Sequence, residues 1–159
     1  MTNEPVPRPT VRVLLLDRED RVYLLHAEGE YSGSGVPVWL PPGGGLEPGE
    51  THEAAAAREL QEEVGLTDVA LGACVWLREL PYVMNDRRRV KLERYYVARV
   101  DAFEIEDWTH LDSEAVIGGR WWSAGEVEAS SDLFVPRALA RLLPAILQGE
   151  LPPEPFAVD

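Results

Sequence analysis

Three glutamates, Glu59, Glu62 and Glu63, stand three and four residues apart in the stretch from Thr51 to Val64. Wound as a helix at about 100° per residue, that stretch puts Leu60 and Val64 on one stripe and the three carboxylates within an arc of about 100° across from it. Like charges at these spacings destabilise a helix by a few tenths of a kcal/mol per pair, so something must compensate them. A solvated acidic face is the plain reading, since surface helices are commonly charged. The sharper reading is a hard-cation site, in which oxygen ligands from successive turns hold Mg2+ or Mn2+. The surroundings favour the cation: Pro41-Pro42-Gly43-Gly44-Gly45 forces a bend that carries backbone carbonyls toward the helix, Glu50 sits in the connecting loop, and Arg58 lies among the acids. The Asp-rich loop of an EF-hand and the Gly-Lys-Ser/Thr of a phosphate-cradling loop are both missing. Gly33-Ser34-Gly35 does not have the spacing of a hydrolase nucleophile elbow.

The elements that must position these groups are legible in outline. Val11 to Leu16 and Arg21 to His26 read as strands joined by the polar turn Asp17-Arg18-Glu19-Asp20, an opening hairpin. Glu28 to Gly35 reads as a mobile glycine- and serine-rich loop, followed by a short apolar piece, Val36 to Leu40. The helix is expected to begin after Gly49 with Thr51 as N-cap and Glu53 in its first turn, and to end at Gly65. Val69 to Leu80 and Val90 to Val100 form a second hairpin that turns around Asn85-Asp86. An acidic loop from Asp101 to Gly119 precedes a short strand, Gly119 to Ser123, and Leu133 to Leu147 reads as a helix with Leu139, Leu142, Leu143 and Ile146 on one stripe. One domain over residues 1–159 is expected, with a flexible segment at about 1–9 and a Pro-rich tail at about 149–159.

Composition bounds the function. Hydrophobic residues make up 45% and charged residues 27% of 159, which is the composition of a chain able to bury a core. Twenty-eight acids against fifteen bases give a net charge of −13, a field that repels nucleic-acid polymers and anionic membranes. No run approaches the ~18 apolar residues of a membrane-spanning helix, and Met1 to Pro5 has neither a basic region nor an apolar stretch, so a cytoplasmic location is expected. The lone Cys74 excludes an internal disulfide and reads as a small core residue.

The run from Gly44 to Leu66, Gly-Gly-Leu-Glu-Pro-Gly-Glu50-Thr-His-Glu-Ala-Ala-Ala-Ala-Arg58-Glu59-Leu-Gln-Glu62-Glu63-Val-Gly65-Leu, resembles the Nudix box, Gly-x5-Glu-x7-Arg-Glu-U-x-Glu-Glu-x-Gly-U with U aliphatic, at every fixed position. Trp39-Leu40-Pro41 and Arg120-Trp121-Trp122 resemble flanking features of the same hydrolases. The resemblance implies an α/β fold of the α/β/α sandwich type, a mixed β-sheet between helices. It also implies hydrolysis of a nucleoside diphosphate linked to another moiety, with Mg2+ as cofactor and Mn2+ able to substitute. On that resemblance Glu59, Glu62 and Glu63 hold the metal, with the carbonyl of Gly43 or Gly44 as a further ligand. Arg58 then steadies the glutamates, Glu50 pins the loop, and Gly44 and Gly65 shape the ends of the box. A non-catalytic nucleotide-sensing domain is the alternative, although such domains often lose a box glutamate and none is lost here.

The box does not by itself identify the general base. Glu93, on the strand Val90 to Tyr96, reads either as a surface carboxylate or as a further metal ligand. Glu114, in the acidic loop, matches a loop that supplies a catalytic glutamate in ADP-ribose hydrolases. Pro81, fifteen residues beyond Leu66, resembles the ADP-ribose subgroup, whereas Tyr82 in the next position resembles the dinucleoside polyphosphate subgroup. Trp39, Tyr82, Tyr31 and Trp122 are able to stack on a base. Arg87, Arg88 and Arg89 are expected to contact substrate phosphates. A small-molecule nucleotide is the expected partner, with neither nucleic-acid polymer nor membrane, and a homodimer is left open.

Overall fold

The computed structural model describes residues 3–28, 36–111 and 115–159. Among the described residues, nine strands and three helices follow in the order β1 (Val6–Leu16), β2 (Arg21–Ala27), β3 (Val38–Leu40), β4 (Gly43–Gly45), α1 (His52–Val64), β5 (Cys74–Met84), β6 (Arg87–Arg99), β7 (Val116–Ser123), α2 (Ala124–Ala129), β8 (Leu133–Phe134), α3 (Leu139–Leu147) and β9 (Phe156–Val158). They build one mixed sheet in the order β8-β3-β2-β1-β6-β5-β9, with β4 against β1 and β7 against β2. β1 is central because both of its faces are apolar, which is affordable only for a strand covered on both sides. Val11, Val13 and Leu15 pack with Ala55, Ala56, Leu60 and Val64 of α1, whereas Leu14 and Leu16 pack with Leu139, Leu143 and Ile146 of α3. The sheet is therefore sandwiched between helices, and no described helix is long and apolar enough to cross a membrane.

The opening hairpin differs from the sequence expectation in a way that creates the site. β1 and β2 share a single ladder pair, Leu16↔Val22. β1 then runs parallel to β6 from Val6↔Arg89 to Leu16↔Arg99, and β2 turns to β3 and β7. The gap between the two strands admits the glycine segment β4, whose Gly43 pairs with Arg12 and Gly44 with Val11.

The segment expected to be flexible at about 1–9 enters the sheet from Val6, and the Pro-rich tail packs on the body through β9. β1 starts at Val6, and Pro7 and Pro9 fit it because the strand has β6 on one side only at that level, an edge where the missing N–H of proline costs little. β9, near the end of the Pro-rich tail, pairs in parallel with Trp76–Arg78 of β5. The turn at Asn85 and Asp86 is as expected, with both residues at positive φ (52° and 58°), and its hairpin is longer at the tip and shorter at the base, since β5 starts at Cys74 rather than Val69.

The second expected helix also begins later. Pro136 interrupts the stretch from Leu133, so β8 and α3 replace one long helix. α2 was not foreseen, yet Ser123-Ala-Gly-Glu126 carries its signal: the Ser123 hydroxyl accepts from the Glu126 amide at 3.1 Å and Glu126 Oε1 from the Ser123 amide at 3.0 Å. Ser123→Ala is expected to cost about 1 kcal/mol, read as a lower midpoint in urea denaturation, and an unchanged midpoint would show the cap to be idle.

Candidate active site

The box helix is fastened at both ends. The Thr51 hydroxyl accepts from the Ala54 amide at 3.1 Å, and Gly65, at φ 70°, closes the helix with its amide on the Gln61 and Leu60 carbonyls. Between these caps Arg58 acts as a hub. Its Nε and Nη2 donate to the two oxygens of Glu50 at 3.0 and 2.8 Å, Nη1 donates to Glu59 at 2.9 Å, and Nη2 also reaches the Gly45 carbonyl at 3.0 Å. This fork holds the Glu50 carboxyl down at about 2, and Glu50 in turn accepts from the Glu47 amide. Arg58 thus ties the Glu50 loop to the Glu59 carboxylate.

The glutamates differ from one another. Glu63 is buried, and one of its oxygens accepts from the Gly43 amide at 2.8 Å. Burial pushes its carboxyl up to about 8 against the opposing charge of Arg12. Burial likewise raises the Glu59 carboxyl, with Arg58 opposing. Glu62 is exposed at the rim, 3.7 Å from Arg58. Gly44 lies directly against Glu59, and a Cβ there would collide with the carboxylate. Among the described residues no three acidic, histidine or cysteine side chains converge as a preformed cage. Glu59 pairs with Arg58, whereas Glu63 is held by the Gly43 amide. Two desolvated carboxylates beside a glycine bend still form the oxygen-only donor set a hard divalent cation requires.

Glu93 is placed otherwise than expected. It is almost fully buried, with Oε2 accepting from Arg12 Nε at 3.0 Å and Oε1 from Arg78 Nη1 at 2.6 Å and from the Tyr95 hydroxyl at 3.4 Å. Burial alone would raise its carboxyl, but the two guanidiniums overcome that and hold it below the usual range. Its oxygens face arginines and not the box glutamates, so the geometry corrects the expected metal ligand to the centre of a buried ion triad. Arg12 carries the triad to the site, with Nη1 donating to the Gly43 carbonyl at 3.2 Å and the Pro41 carbonyl at 3.4 Å. Arg12 and Arg78 were missed from the sequence. The signal was present, since Arg12 is the only charged residue in the apolar run from Val11 to Leu16, and such a residue must carry a buried partner.

Beside the triad lies a cavity of about 570 Å3, lined by Arg12, Arg78, Lys91 and Glu93 on the sheet and by Asp132 and Arg137 on the segment around β8 and α3. Its volume suits a small ligand. Trp39 does not line it. Its ring stacks on His26 at 4.1 Å and its Nε1 donates to Asp132 at 3.0 Å, while Trp122 stands edge-on to it. Tyr82 lies further along the hairpin, 5.7 Å from Lys91 Nζ. Arg87, Arg88 and Arg89 sit at the hairpin tip, about 13–20 Å along β6 from Glu93. His110 bridges the acidic loop to the end of α1, with its ring nitrogens 3.0 Å from the Asp107 and Glu63 carbonyls. Glu114, Tyr31 and the loop through Gly33 and Gly35 fall outside the described residues.

A NUDIX domain matches residues 6–143, so the chain belongs to the Nudix family, and with its box complete it is a hydrolase of that family. It is 35% identical over 119 residues to an RNA pyrophosphohydrolase of Rhizobium meliloti (strain 1021), covering 67% of this chain and 71% of the relative. An RNA pyrophosphohydrolase of Caulobacter vibrioides (strain NA1000 / CB15N) is 29% identical over 163 residues, covering 92% and 89%. Among solved structures, a NUDIX hydrolase from Nitrosomonas europaea superposes with a TM-score of 0.66 at 19% identity, over 91% of each chain.

Proposed function

We propose that the protein hydrolyses the diphosphate bond of a nucleoside diphosphate linked to another moiety, in a reaction that depends on a divalent cation. The observation that carries this reading is the contact between the glycine bend and the box helix, with the Gly43 amide on Glu63 and Gly44 against Glu59. Glu59, Glu62, Glu63 and the Gly44 carbonyl are the groups that would hold the cation. Bound there, Mg2+ or Mn2+ supplies charge neutralisation for the diphosphate and acidifies the attacking water.

The remaining chemistry belongs to the chain. Arg58 fixes Glu59 and locks the loop through Glu50, so the carboxylates stay within reach of one another despite their repulsion. Arg12, Arg78, Lys91 and Arg137 outnumber Glu93, Glu128 and Asp132 along the adjoining cavity by one, a small positive excess that favours an anion there. Held below the usual carboxylate range between two guanidiniums, Glu93 is a poor proton acceptor, which leaves that role to the box glutamates or to Glu114.

Hydrolysis of nucleotide sugars, dinucleoside polyphosphates, nucleoside triphosphates or 5′-triphosphorylated RNA is expected to stop in EDTA and to return with Mg2+ or Mn2+, followed as released phosphate or pyrophosphate. Turnover of any of these at full rate in chelator would overturn the mechanism.

A further inference from the structure

The net charge of −13 is not spread evenly. β1, β5 and β6 are neighbours in the sheet and carry nine of the fifteen basic residues but only two of the twenty-eight acidic ones. Ladder register sorts these charges by face. Arg8 pairs with Lys91 and Val6 with Arg89 across β1 and β6, while Arg78 pairs with Glu93, Leu80 with Lys91 and Tyr82 with Arg89 across β5 and β6. With side chains alternating along each strand, Arg8, Arg12, Arg78, Arg87, Arg89 and Lys91 share the face that lines the cavity. Among the described residues of these three strands Glu93 is the only acid on that face, already held by Arg12 and Arg78, while Glu128 and Asp132 border the cavity from the opposite wall.

This stripe runs from the site to the hairpin tip. Its inner end, Arg12, touches the Gly43 carbonyl, and its outer end lies about 20 Å beyond Glu93. The phosphates of a single nucleotide seated at the box do not extend that far. Like charges on adjacent strands are unfavourable alone, so a row of this length is suited to an anion of comparable length. Two details point the same way. Arg89 Nε is buried with no hydrogen-bond partner, and the Tyr82 ring stands half-exposed beside Lys91, where a base has an aromatic face to stack on.

We infer that the β5–β6 arm binds a single-stranded polynucleotide whose phosphorylated 5′ end enters the site, an inference that rests on the anhydride hydrolysis proposed above. The overall charge argues against a polymer partner, but its distribution reverses that argument on this face. Phosphates lie along Arg8, Arg89 and Arg87, a base lies on Tyr82, and the first nucleoside occupies the cavity.

The test is fluorescence anisotropy of a 3′-labelled, 5′-triphosphorylated RNA octamer, titrated in EDTA over a range of salt concentrations. Wild type is expected to bind it at least about tenfold more tightly than ATP at low salt, with log K falling by about 0.7 per neutralised phosphate for each unit of log salt. The variant Arg8→Ala/Arg87→Ala/Arg89→Ala is expected to show a slope shallower by about two and a loss of about tenfold or more in affinity, with an unchanged thermal midpoint. Removing a cation elsewhere, by Arg18→Ala, is expected to leave the slope intact. Equal slopes for wild type and the triple variant, or RNA bound no better than ATP, would overturn the inference even where ATP is hydrolysed with Mg2+. RNA bound with the expected slope, but no phosphoanhydride cleaved, would keep the binding surface and remove the proposed activity.

Discussion

Glu63→Gln is expected to lower kcat by at least about two orders of magnitude while leaving the fold intact. Glutamine keeps the size of the side chain and an oxygen able to accept from the Gly43 amide, so the contact between bend and helix survives. What is lost is a desolvated negative charge, the property a divalent cation uses. Stability should respond in the opposite direction. Burial raises the Glu63 carboxyl to about 8 from an ordinary 4.5, so in EDTA the folded wild type binds a proton that the unfolded chain has already released. Stability therefore falls as pH rises from about 4.5 to about 8, and Glu63→Gln removes that slope. Thermal melts at pH 5 and pH 8 in chelator, beside initial rates in Mg2+, separate the two effects. A variant that melts lower than wild type at pH 8 and loses activity in proportion would show Glu63 to be a structural residue.

The box was legible because its chemistry is local. A helix phases Glu59, Glu62 and Glu63 from spacing alone, Thr51 and Gly65 mark its ends by capping preference, and Arg58 lies next to Glu59 and eight residues from Glu50, the two acids it holds. The sheet was less legible because its pairing is long-range. A short polar turn between Leu16 and Arg21 favours a hairpin on local grounds, but two-faced burial draws β1 to β6, more than seventy residues away. Register then decides what Glu93 touches. On strand alternation alone it reads as a surface acid or a ligand, and only the parallel β1–β6 pairing brings Arg12 to its oxygen. The same long-range pairing sets Arg8 beside Lys91, while the local β5–β6 hairpin sets Arg89 beside Tyr82, so the stripe of cations needs both and only the hairpin half was legible in the chain. Pro136 shows a local signal underweighted: the leucine stripe of α3 is real, but the stretch before Leu139 includes a proline that ends the pattern.

Glu93→Ala is expected to cost about 3–5 kcal/mol of stability, the largest loss foreseen for any single substitution. The carboxylate is buried between Arg12, which is equally buried, and Arg78, so its removal leaves two guanidiniums with uncompensated charge in the interior. The Tyr95 hydroxyl also loses an acceptor. Arg12 donates to the Pro41 and Gly43 carbonyls, and a repelled Arg12 would shift the bend that presents Gly44 to Glu59. Urea denaturation reads the stability, and the Mg2+ concentration for half-maximal rate reads the bend. Replacing the triad as a unit, by Arg12→Leu/Arg78→Met/Glu93→Leu, should recover most of the stability, because apolar groups of similar volume need no charge partner. It should not recover the half-saturating Mg2+ concentration, since leucine at position 12 cannot donate to the Gly43 carbonyl. Loss of stability below about 1 kcal/mol in Glu93→Ala, together with a rise in half-saturating Mg2+, would instead return Glu93 to the metal.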